Sequence, residues 1–166
     1  VRDDLPISSL ITYPPVVDRS ALVAEARKLQ TDRVAFEEAA EGFKVHGLTE
    51  LNIELAIFEL QKQFPQIRQQ KPQVAYRMGP PFLEPYYRAT IDVPEDCADV
   101  VIGDVSGRRG LLERALESPT GKRVIAAVPV SECFGYATVL RILTKGRGSY
   151  SVEFLGYRRV GGDDAA

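Results

Sequence analysis

Very little in this chain of 166 residues offers reactive chemistry. There is one histidine, His46, and there are two cysteines, Cys97 and Cys133, too far apart for a metal-binding motif. Two such thiols predict buried, reduced side chains of a cytoplasmic protein, with a single disulfide as the alternative. No run approaches the 18 apolar residues that a membrane span requires, and no basic-then-apolar leader opens the chain. There is no initiator methionine either; Val1 predicts processing or a larger parent. The sequence also lacks a charge excess. A formal net charge of −2 excludes coating nucleic acid by bulk charge, so any RNA contact must come from a local patch. The apolar share of 45% and charged share of 27% are those of an ordinary globular protein, long enough for one domain or two small ones.

Proline and glycine are concentrated where they divide the chain. In "RMGPPFLEP" (77–85), Gly79, Pro80, Pro81 and Pro85 forbid a continuous helix or a central strand, and the segment reads as a linker. Each side of it follows one order. In the first half "ISSLIT" is a strand. A helix capped by Asp18 or Ser20 follows, with Leu22, Ala26 and Leu29 on one face. "RVAFEE" and "GFKVHG" form a hairpin. A long helix over 48–64 carries Leu51, Leu55, Phe58, Ile53, Ile57 and Leu60 as a wide apolar face, with Thr49 at its cap. "KPQVAYRM" closes the half as a strand with Val74 and Tyr76 on one side. In the second half "YYRATIDV" alternates inward and outward, and Pro94, Glu95 and Asp96 open a helix that ends near Gly107. Two strands flank "PTG", Ser131 caps a helix to Leu143, and "SYSVEFLGY" is the last strand. Both halves read βαββαβ, which predicts an α+β chain of two ferredoxin-like plaits in tandem. The expected division is 1–78, a linker at 79–83, a second domain at 84–160 and a disordered tail at 161–166.

Tests for catalysis come back empty. "SPTGKRV" carries Leu116 and Arg123 where a phosphate-binding loop needs glycine and a hydroxyl, so it reads as a hairpin turn. No nucleophile motif accompanies His46. The loops after the two first strands, "YPPVVDRS" and "VPEDC", offer prolines and acids rather than amide donors for an anion. Glu50, Glu54 and Glu59 have no histidine or cysteine partners and read as a solvated face. No catalytic residue, metal site or cofactor is expected. What remains is a set of cations at two helix C-termini: Arg108 and Arg109 in "GDVSGRRG", Lys145 and Arg147 in "TKGRG", and Arg141 one turn earlier. Cations stabilise such ends by about 0.3–1 kcal/mol and glycines terminate helices, which accounts for the pattern structurally. They also suit an RNA backbone if both helix ends emerge at one edge of the plait, as we expect here.

Long stretches of the second half resemble the fifth domain of the elongation factor G family of translational GTPases. The family's Phe-Gly-Tyr-Ala-Thr, Leu-Arg, Thr and Gly-Arg-Gly-Ser are met at 134–138, 140–141, Thr144 and 146–149. "VIGDVSGRRG" and the closing "GY" belong to the same likeness. The first half resembles the family's third domain, through "GLTELNIELAIFELQKQF" and "KPQVAYR", with Asn52 in place of the family's histidine. Where the family inserts a whole fourth domain, only "MGPPF" intervenes here.

The resemblance implies a non-catalytic, ribosome-contacting module of the cytoplasm. Its expected partners are large-subunit rRNA near the sarcin–ricin loop and the stalk-base proteins, with GTP bound only by the parent protein. Arg108, Arg109, Arg141, Lys145 and Arg147 become the RNA-facing candidates. Glu50, Asn52 and Glu54 become a surface for the GTPase-module domains. A protein-interaction scaffold or a self-associating pair of plaits, neither binding RNA, is the alternative.

Overall fold

The computed structural model describes residues 2–160, so the expected tail at 161–166 lies outside the described residues. The chain divides into two compact units, Val1–Ala75 and Tyr76–Ala166. That boundary falls a few residues before the expected linker. Arg77 and Leu83 exchange backbone hydrogen bonds of 3.0 Å in both directions, which ties the intervening loop into the second unit.

The first unit runs β1 (Ile7–Thr12), α1 (Arg19–Lys28), β2 (Val34–Ala39), β3 (Gly42–Gly47), α2 (Glu50–Gln63), β4 (Arg68–Gln69) and β5 (Gln73–Val74). Its antiparallel sheet has the order β2-β3-β1-β4, with β5 also pairing β1. Asp18 caps α1 by accepting from the Ala21 amide, and Thr49 caps α2 by accepting from the Asn52 amide. Strand alternation sends Ile7, Ile11, Phe43 and Val45 beneath the helices, where Leu22, Ala26, Ile53, Ile57 and Leu60 close the core. Two expectations need correction. The closing strand is split, because Pro72 has no amide proton for the ladder, and Tyr76 is exposed beyond it. The wide apolar face of α2 is really two faces: Ile53, Ile57 and Leu60 are buried, while Leu51, Leu55 and Phe58 remain 61%, 55% and 59% exposed.

The second unit runs β6 (Leu83–Val93), α3 (Ala98–Gly107), β7 (Leu111–Ser118), β8 (Gly121–Pro129), α4 (Tyr136–Thr144) and β9 (Ser149–Arg159). Its antiparallel order is β7-β8-β6-β9. Both units are therefore ferredoxin-like plaits, as the patterns predict. Ala89, Ile91 and Val93 of β6 meet Val101 and Val105 of α3 and Leu140 of α4 in one core. Ser131 does not cap α4. It lies in a single 3-10 turn, Val130–Glu132, and Gly135 in the left-handed region (φ 71°) starts the helix instead. Cys97 and Cys133 are both free thiols. Burial pushes the Cys133 thiol up to about 12, with the nearby Arg108 charge opposing that rise.

Candidate nucleic-acid interface

The cations picked from the sequence sit on two turns of the second unit, and the plait's connectivity decides where those turns lie. β6 and β8 are antiparallel neighbours. Each helix runs back along the strand before it, so α3 and α4 point in opposite directions and their C-termini reach opposite ends of the sheet. The contacts agree. Arg109 reaches Glu84 at the start of β6, whereas Arg147 reaches Asp96 just past its end. An 11-residue strand separates those points by roughly 33 Å. The expected common cationic edge does not form.

At the α3 end the two arginines are both tied to acids of their own unit. Arg108 Nε donates to Asp104 at 2.8 Å and Nη1 donates to the Glu132 carbonyl at 2.7 Å, while its guanidinium lies 5.0 Å from the centre of the Tyr136 ring. Arg109 grips the carboxylate of Glu84 with both Nη atoms, at 2.7 and 3.1 Å, and touches Glu132 and Ser131 Oγ at 3.2 and 3.3 Å. Glu84 is 1% exposed. Its bond holds the Arg109 guanidinium far above the ordinary arginine range, against the opposing effect of burial. Arg109 also adopts a left-handed backbone (φ 58°) that non-glycine residues rarely take. This turn is an internal clamp.

At the α4 end the geometry differs. Thr144, fully buried, donates from Oγ1 to the Leu140 carbonyl at 2.8 Å and accepts from the Gly148 amide at 2.9 Å. Lys145 and Gly146 turn through the left-handed region, and the Gly146 amide closes on the Arg141 carbonyl at 2.8 Å. Gly148 is needed because a Cβ there would press on Thr144 at 2.9 Å. The threonine thus accounts for the second glycine of "TKGRG", and the left-handed turn accounts for the first. Thr144→Val should therefore lose about 1–2 kcal/mol of stability, read as a lowered melting temperature, since it strands the Gly148 amide.

Arg147 Nη2 donates to Asp96 at 3.1 Å, which holds that carboxyl below the usual aspartate range. Arg141 and Lys145 are exposed and make no ion pair within 4.0 Å among the described residues. Between them Ile142 is 72% exposed. On the open face of the sheet, β6 and β8 carry Arg88, Thr90, Asp92, Arg123 and Ile125 at their centres, with Arg123 tied to Asp92 and Arg88 to Glu113. No aromatic ring stands among these five for bases to stack on.

On α2 of the first unit, Asn52 is held by the Thr49 cap, whose hydroxyl donates to Oδ1 at 2.7 Å. Glu54 is exposed. What the sequence reading misses is beside them: the exposed Leu51, Leu55 and Phe58, whose spacing of four and three residues is visible but is assigned to the core.

Residues 81–166 match the family described as Elongation factor G C-terminus. The match takes in more than half of the 166 residues. The chain belongs to that family. A crystal structure of a protein from Thermus thermophilus resembles 97% of the chain with a TM-score of 0.61 at 18% identity, a likeness of fold. The chain spans 42% of that protein's length. The elongation factor G match falls on the unit that holds both cationic turns, and the fold likeness extends over both plaits. Among the described residues no cluster of histidine, cysteine or acids is arranged to hold a metal, and no helix is long and apolar enough to cross a membrane.

Proposed function

We propose that this elongation factor G family member is a non-catalytic module that contacts the ribosome in the cytoplasm. In this reading the second unit docks on large-subunit rRNA, near the sarcin–ricin loop and the stalk-base proteins, through the end of α4. The supporting observation is that, of the five candidate cations, Arg141 and Lys145 alone are exposed without an internal ion pair, and they flank an exposed Ile142 on a tight, glycine-closed turn. Arg108 and Arg109 then serve the fold, and Arg147 donates to the Thr144 carbonyl of its own turn and pairs with Asp96 at the surface. The first unit corresponds to the third domain of elongation factor G. Its α2, with Glu50, Asn52, Glu54 and the apolar Leu51, Leu55 and Phe58, faces the GTPase-module domains of the parent.

The test is binding of the full chain to a sarcin–ricin-loop RNA and to large subunits across a salt series. Each phosphate contacted contributes a slope of about −0.7 in log affinity against log salt on single strands. Replacing Arg141 and Lys145 together by alanine is expected to flatten that slope by about 1.4, while Arg108→Ala leaves it unchanged. An equal slope for wild type and the double variant would discard the α4 end as the RNA contact.

A further inference from the structure

The first unit holds a groove that the ribosomal reading does not use. It lies between α1 and β2 and consists of two adjoining hollows of about 270 Å³ each, both bordered by Val23, Arg27 and Glu38. The floor is apolar: Val23, Ala26, Phe36 and Phe43, with the two phenylalanine rings 5.7 Å apart. β2 is the edge of its sheet and pairs with β3 alone among the described strands.

The edge is partly occupied from within. The Phe36 amide points away from β3 and donates to the side-chain carbonyl of Gln30 at 3.0 Å. An amide oxygen from the end of α1 thus fills the rung that a neighbouring strand's carbonyl would fill. Val34 likewise accepts from the Thr31 amide at 2.9 Å, and at the far end Arg19 donates to the Ala39 carbonyl at 3.2 Å. Between these ends no hydrogen bond reaches the Glu38 amide from the groove side among the described residues.

Charge narrows the occupant. Glu37 is already held by His46 Nε2 at 2.8 Å. Arg27 stands exposed at the junction of the two hollows with no ion pair among the described residues, and Arg19 adds a second guanidinium on the same wall. Among the described residues Glu38 is the unpaired acid that borders both hollows beside them. From Arg19 to Gln30 the helix wall spans about 16 Å, which matches about five residues of extended chain.

We propose that this groove binds an extended peptide, added to β2 as a further strand, that turns an apolar residue and, two positions on, an acid toward α1. Its backbone displaces the Gln30 side chain and pairs with Phe36 and Glu38. An apolar side chain rests on Val23, Phe36 and Phe43, and an acid meets Arg27. Strand addition beneath a helix is an established mode of peptide recognition, with the backbone giving affinity and the pockets giving selectivity.

The experiment is an NMR titration of the full chain with the probe acetyl-Ser-Val-Ser-Glu-Ser-amide, whose valine and glutamate share one face of the strand. Amide shifts are expected at Arg27, Gln30, Phe36 and Glu38, with slowed exchange of the Glu38 amide. Gln30→Ala, which removes the internal competitor, should tighten binding by about fivefold, the worth of one hydrogen bond. Arg27→Glu should weaken it by about tenfold or more, as should lysine in place of glutamate in the probe. Shifts scattered outside the groove, no shifts at millimolar probe, equal binding of the lysine probe, or weaker binding by Gln30→Ala would each overturn the proposal. None of these readouts involves RNA, so the outcome is independent of the ribosomal reading.

Discussion

Arg109→Ala is expected to destabilise the second unit by about 3 kcal/mol, while Arg147→Ala, at the other cationic turn, changes stability little. The two arginines look equivalent in the sequence, each beside a glycine at a helix end. Their partners separate them. Arg109 holds the carboxylate of Glu84 with two bonds, and that side chain is 2% exposed against 44% for the arginine. Removing the guanidinium leaves a negative charge in the interior at the start of β6. Breaking a buried pair from one side costs about 3–5 kcal/mol, and water reaching the half-exposed arginine site places this case at the lower end. Arg147 and Asp96 are both largely in water, where such pairs contribute little.

Hydrogen exchange reads the difference by unit. The amides of Ile91 and Val124 should lose roughly a hundredfold in protection in Arg109→Ala, and those of Ile53 and Leu60 should not change. Glu84→Leu combined with Arg109→Met should recover most of the loss, because an apolar pair of similar volume leaves no stranded charge. Unchanged protection in Arg109→Ala would mean that Glu84 is not dependent on the clamp.

Local patterns announce the elements well. Alternation marks β6, Asp18 and Thr49 mark two helix starts, and the proline-rich segment marks the passage between plaits. What no local pattern carries is direction in space. The sheet order β7-β8-β6-β9 makes the two strands that feed the helices antiparallel, so the helices are antiparallel too, and a cationic edge assembled from both C-termini is an error of topology rather than of residue choice. Partnership is equally hidden. Glu84 and Arg109 are 25 residues apart, and nothing in either neighbourhood signals the other. Helical periodicity ranks Leu51, Leu55 and Phe58 with the core, because spacing reports that residues share a face but not which face meets the sheet. The α1–β2 groove depends on β2 being an edge strand, and strand order decides that.

Gly121→Ala is expected to be as damaging as loss of the Arg109 clamp, at about 3 kcal/mol or more, and Gly146→Ala much milder, at about 1–2 kcal/mol. Both glycines lie in the left-handed half of backbone space, at φ 138° and 78°. Around Gly146 a Cβ would meet nothing within 4 Å, so alanine there bears only the conformational cost. Around Gly121 it would stand 2.6 Å from the Val93 carbonyl, 2.6 Å from the Glu95 amide and 2.8 Å from Pro94 Cα. All three are backbone atoms at the junction of β6 with the turn into α3, and none can rotate aside as a side chain would. The glycine before lysine in "SPTGKRV" is thus required by packing of the β7–β8 turn against that junction, and no phosphate need be invoked. The comparison is made by urea unfolding of the full chain followed by circular dichroism, with exchange at Val93 and Val124 to assign the loss to the second unit. Because Asp96 follows this junction and pairs with Arg147, Gly121→Ala should also loosen that turn before the sheet itself opens, seen as a loss of protection at the Arg147 amide relative to the unsubstituted chain that exceeds the loss at Ala89. If Gly121→Ala proved no worse than Gly146→Ala, the close approach of the β7–β8 turn to Val93–Glu95 would be wrong, and with it the account of how that end of the plait is held.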